Sequence, residues 1–128
     1  MKNTDIDDLV HTIIGCAVEV HKALGNGFDK EIYQTCLAKE FTLQDIEYGR
    51  DEEIDIVYKG EKVGTAIVDF VVEDIIMVEI KTIEKLTDSH RVQAIHNCEV
   101  FEIANGLLIN FGAGTLDCKR VYNKKMMV

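Results

Sequence analysis

The stretch VDFVVEDIIMVEIK, residues 68–81, is apolar apart from a few charged positions, three of which have the types to do chemistry together: Asp69, Glu79 and Lys81. Charged groups in such a setting are costly unless they are paired, solvated or bound to an ion. Two carboxylates and a main-chain carbonyl can hold Mg²⁺, an ion that keeps several waters and takes phosphate oxygens as further ligands. An ammonium beside them can orient a nucleophilic water or stabilise charge on a phosphoryl group. The other reading is an Asp–Lys–Glu ion network that binds nothing, since a D-x9-E-x-K spacing arises by chance in many strands.

Convergence of the three depends on strand register. Glu79 and Lys81 are two residues apart and share a face of any strand that contains them. A two-residue turn at Glu73-Asp74 would pair residue 72 with 75 and 69 with 78, which puts Asp69 on the opposite face. A three-residue connection or a bulge sets Asp69 across from Glu79. The second register is expected, because the first leaves each acid alone in an apolar layer. All three charges should then gather on one side of the sheet, beside the helix that follows.

The elements that must position these residues are legible from periodicity. Residues 5–24, DIDDLVHTIIGCAVEVHKAL, carry Ile6, Leu9, Val10, Ile13, Ile14, Ala17, Val18 and Leu24 at helical spacing, with Asp5, Asp7 and Asp8 at the positive end. GNG at 25–27 ends that helix. A second helix is expected over 28–42 with Ile32, Tyr33, Cys36, Leu37 and Phe41 inward. Strands follow at 52–58, 63–72 after a KGEK turn, and 75–83, the last apolar on both faces as a central strand should be. A helix at 89–103 with Asp88 or Ser89 as N-cap precedes a buried strand at 106–112 and an edge strand at 116–123. The order ααβββαββ predicts one α/β (α+β) domain over 1–128, a mixed sheet flanked by helices.

Composition narrows the function. The chain has 128 residues, 47% of them apolar, and lacks any run of about 18 uncharged apolar residues, so no membrane helix is expected. The polar, acidic opening MKNTDIDDLV does not fit a signal peptide. Four cysteines, Cys16, Cys36, Cys98 and Cys118, form no CxxC pair and read as reduced, partly buried side chains of a cytoplasmic protein. A net charge of −9 argues against a broad phosphate-tracking surface. KRVYNKK at 119–125 is either a local basic patch or a solvated tail.

LGNGFDKEIYQTCLAKEF (24–41), the stretch 68–93 and GLLINFGAG (106–114) together resemble the GxxExxY family, small bacterial and archaeal proteins of the PD-(D/E)xK nuclease-like superfamily. The resemblance spans nearly the whole chain, with several motifs in order. It implies a restriction-endonuclease-like core and a hydrolase that uses Mg²⁺ or Mn²⁺ on DNA or RNA. Asp69 and Glu79 match the metal-binding acids, Lys81 the active-site lysine, and Gln93 the glutamine of the following helix. His90 and Asn97 share a helical stripe with Gln93 and are possible neighbours of the site.

Departures from the pattern matter equally. The family name calls for Gly27, then Glu at position 30, then Tyr33; here Lys30 stands in that place, and the acid is displaced to Glu31. One step along a helix is about 100°, so Glu31 cannot take the same position. A frequent arginine two residues before the aspartate is Ile67, and a frequent tyrosine of the glutamine helix is Asn97. Lys30, Asp69, Glu79 and Lys81 sum to zero charge, so the lysines can neutralise the acids without metal. Two functions follow as expectations: a metal-dependent phosphodiesterase of nuclease type, or a weakened member that serves as a binding or assembly module, as a homo-oligomer or with another protein. A third expectation, a site for small phosphate esters using the same triad, would suit the acidic surface better than long nucleic acid.

Overall fold

The computed structural model describes residues 5–126; MKNT, the start of the polar N-terminal segment, lies outside the described residues. Helix α1 (Ile6–Leu24) buries Leu9, Val10, Ile13, Cys16, Ala17 and Val20. Asp5 caps it, its carboxylate accepting the amides of Asp7 (2.8 Å) and Asp8 (3.3 Å). It stops at Gly25, whose φ of 67° suits a residue without Cβ. Helix α2 (Lys30–Leu43) follows and buries Tyr33, Gln34, Leu37, Ala38 and Phe41. Ile32, expected inside, is 42% exposed; the inner face runs through Tyr33 and Gln34, about 100° further round. Tyr33 pins the corner between the helices. Its hydroxyl donates to the Gly25 carbonyl at 2.5 Å and accepts the Phe28 amide at 3.3 Å, while its ring stacks on Phe111.

Five strands make one sheet in sequence order: β1 (Tyr48–Tyr58), β2 (Glu61–Val72), β3 (Ile76–Lys81), β4 (Asn105–Asn110) and β5 (Asp117–Tyr122). β1, β2 and β3 form an antiparallel meander, β3 and β4 run parallel, and β5 returns antiparallel along the edge. This is the α+β architecture and the element order that periodicity predicts. The KGEK turn narrows to Lys59 and Gly60, both at positive φ. That is the signature of the two-residue hairpin whose twist matches its strands.

Helices cover both faces. α1 and α2 pack on Phe70, Val72, Ile76, Val78, Ile80, Leu107 and Ile109. α3 (Asp88–Val100) crosses the other face and packs Ala94 and Cys98 on Val68, Met77, Leu108 and Val121. β3, flanked on both sides, is buried along its whole length apart from Lys81, which is half-buried. The N-cap of α3 is Thr87, not Asp88 or Ser89. His90, three residues later, reaches back and accepts the Thr87 amide at its Nδ1 at 3.0 Å, the reciprocal geometry of a capping box.

The ends of β3 and β4 are held together just beyond Lys81. Asn110, fully buried, accepts the amides of Ile83 (3.1 Å) and Gly112 (2.9 Å) and donates to the Ile83 carbonyl at 2.9 Å. Gly112 lies against that chain so closely that a Cβ there would sit 2.4 Å from the Ile83 nitrogen. Asn110→Ala strands two amides and a carbonyl, and should lower unfolding free energy by about 2–3 kcal/mol. Urea denaturation followed by circular dichroism measures it; a loss below about 0.5 kcal/mol means the clasp carries no weight.

Candidate active site

β2 and β3 pair at Phe70–Val78, Val71–Met77 and Val72–Ile76, so residues 73–75 make a three-residue connection. One step further, this register sets Asp69 across from Glu79. The ladder does not extend that far. Asp69 fills the opening itself: its Oδ2 accepts the Ile80 amide at 2.7 Å. Backbone geometry then puts that oxygen within about 5 Å of the Glu79 Cα. The strands part here because β2 changes its facing. Val68 and Phe70 are two residues apart, yet Val68 packs under α3 and Phe70 under α1 and α2. On β1, Asp51 adopts a φ of 52° at the matching place.

Both acids are buried, at 6% exposure each, and both are compensated. The second oxygen of Asp69 lies 3.0 Å from Nζ of Lys30, the first residue of α2. Glu79 accepts a hydrogen bond from the side-chain amide of Asn97 on α3. The acids thus lean toward helices of different layers, across the gap between the strands. That differs from the expectation of three charges on one side of the sheet, and the break in facing at Asp69 is the reason. Cys98, next to Asn97, has its thiol pushed up to about 12, first by burial and then by the Glu79 carboxylate. An inert thiol results.

The remaining candidates separate. Lys81 is half-buried, and its side chain makes no hydrogen bond or ion pair among the described residues. Gln93 is exposed on α3 and bonds to none of the site residues described. His90 serves the cap of α3, and Tyr33 serves the corner between α1 and α2. Lys30 and Glu31 both line a cleft of about 510 Å³ with Gln34, Arg50, Asp51, Ile67 and Asp69, but the lysine is the one paired with Asp69. Sequence reading missed Gln34, Arg50 and Asp51. Gln34 donates to Asp51 (2.8 Å) and to the Asp69 carbonyl (3.3 Å), and accepts from Arg50 at 3.1 Å. Its place one turn after Lys30 was the available signal. Arg50 brings to the cleft, from β1, a guanidinium that position 67 lacks. In KRVYNKK, residues up to 122 belong to β5, and Arg120 pairs with Asp7, Lys119 with Asp117 and Lys125 with Glu99.

Among the described residues no three His, Cys, Asp or Glu side chains gather to hold a metal. Mg²⁺ does not need three, because one or two carboxylates with waters and substrate phosphates suffice. The carboxylates of Asp69 and Glu79 are donors of the type such an ion takes, and the Lys30 ammonium stands where a cation would neutralise Asp69.

A profile described as the PD-(D/E)XK nuclease superfamily matches residues 7–121. No curated protein matches the chain. Among solved structures, one titled "Crystal structure of SSO0001" is similar in fold, with a TM-score of 0.57 and 17% identity. The match covers 72% of this chain and 48% of that one, so this chain spans about half the length of that protein. No described helix is long and apolar enough to cross a membrane.

The two bonds of Asp69 predict different costs for two substitutions. Asp69→Ala removes the acceptor of the Ile80 amide and should cost about 2–3 kcal/mol, whereas Asp69→Asn keeps an acceptor and should cost about 1 kcal/mol. Chemical denaturation at neutral pH distinguishes them; equal losses would show that the carboxylate does not hold the strand.

Proposed function

The chain belongs to the PD-(D/E)XK nuclease superfamily, and on that premise we propose that it is a divalent-metal-dependent phosphodiesterase of nuclease type acting on DNA or RNA. The GxxExxY family is the finer assignment, supported by Gly27, Tyr33 and the order of the motifs. One observation carries the reading: the β2–β3 register directs Asp69 to the amide next to Glu79, so two buried carboxylates flank the gap where the strands part. Asp69 and Glu79 would hold Mg²⁺ or Mn²⁺. Bound there, the metal would lower the pKa of a water and draw charge from the phosphoryl oxygens.

The protein's own groups do the rest. Asn97 fixes one oxygen of Glu79 and so the direction of the other. Ile80 fixes Asp69 in the same manner. Lys81, whose ammonium pairs with no side chain among the described residues, can turn it toward an attacking water or toward charge on the phosphate. Gln93, exposed on α3, can meet substrate at the rim. Four free cysteines suit a reducing compartment such as the cytoplasm.

A second reading has its own observation. The Lys30–Asp69 ion pair compensates a buried acid without metal, as a site relieved of catalysis would need. The domain would then serve assembly, with a second copy or another protein.

Activity decides between them. With millimolar Mg²⁺ or Mn²⁺, wild-type protein should cleave plasmid or single-stranded substrate. Glu79→Gln and Lys81→Ala should each lose about 100-fold or more, with unchanged circular dichroism. Cleavage that survives both substitutions, or none in the wild type at any metal concentration, rejects the catalytic reading.

A further inference from the structure

We infer that Lys30 is a gate: it pairs with Asp69 and passes to a substrate phosphate when metal binds, so that metal and polyanion are recruited together. The inference rests on the metal reading above and adds to it the order of assembly. Three of the four carboxylate oxygens of the two acids are already engaged, by the Ile80 amide, the Asn97 amide and the Lys30 ammonium. Two of those partners are fixed, one in β3 and one on α3. The third is movable. The Lys30 side chain is 48% exposed, against 8% for that of Asp69.

Physical forces favour its departure once a cation arrives. Lys30 is the first residue of α2, where the positive end of the helix dipole already opposes a cation. A divalent ion on Asp69 would add repulsion at close range. A compact ammonium on a flexible stem can swing away at little cost, and the cleft it lines is lined by Arg50 as well as Asp69. A phosphate in that cleft would accept the displaced charge. Alone, then, the metal must separate an ion pair; with a phosphate present, the lysine exchanges one anion for another. Linkage makes the effect reciprocal, so bound metal should tighten the polyanion by the same factor.

The test compares wild type with Lys30→Met, which keeps length and removes charge. Calorimetry would follow Ca²⁺ and Mn²⁺ binding, each with and without a twelve-nucleotide phosphorothioate strand, which keeps the backbone charge and resists hydrolysis. Two results are expected. Lys30→Met alone should bind metal about tenfold more tightly than wild type. The strand should tighten metal in wild type about fivefold or more beyond its effect in the variant; direct metal–phosphate contact occurs in both proteins and cancels in the ratio. Equal affinities and equal strand effects in the two proteins overturn the gate and leave the metal site standing. Absence of metal binding by either protein, with or without strand, overturns the metal reading together with the gate. Thermal unfolding of the variant checks that it is folded, and Lys30→Gln repeats the comparison if Met proves disruptive.

Discussion

The bond from the Ile80 amide to the Asp69 carboxylate is the point on which the site depends. An amide in the middle of a buried sheet must find an acceptor, since leaving it unpaired costs as much as a lost hydrogen bond. Where β2 and β3 stay paired, a main-chain carbonyl supplies it. Where they part, a side chain must. Asp69 meets that need, and in doing so brings a negative charge to 6% exposure beside a second acid. Every other feature of the region answers that placement: Lys30 neutralises it, Gln34 holds its carbonyl, and Asn97 satisfies Glu79.

Elements with a strong period were legible in the sequence. α1 declared itself by its apolar stripe and by the acids at its start, and β3 by an unbroken branched run. The register of β2 against β3 followed the expected three-residue connection, although each acid proved to have its own partner, Lys30 for Asp69 and Asn97 for Glu79. Other features were closed to such reasoning. Thr87 became the N-cap because a histidine side chain reached back to it, which residue preference at Asp88 or Ser89 does not encode. Ile32 turned outward because Tyr33 is anchored at Gly25 and Phe111, which rotates the whole of α2.

The site shows the same division. Asp69, Glu79 and Lys81 could be picked out by type and spacing, as could the odd lysine at position 30. Which neighbour of α2 touches the acid depended on the corner geometry, and no spacing rule could choose. Arg50 and Asp51 were hidden because they come from β1, far away in sequence. The pairing of Arg50 with Phe70 brings them beside the cleft. The break in facing at Asp69 was also invisible, since strand patterns assume strict alternation. That one irregularity turned a group imagined in a single layer into two acids that straddle the gap.

The salt link at the head of α2 also has a hereditary meaning. Lysine and glutamate codons differ by their first base, so a single transition at position 30 would exchange the resident cation for a third carboxylate. Nothing in the surrounding packing would have to be rebuilt, because that side chain stands half in water. Lineages carrying this fold could therefore pass between a self-neutralised pocket and a strongly acidic one by the smallest heritable step, and back again.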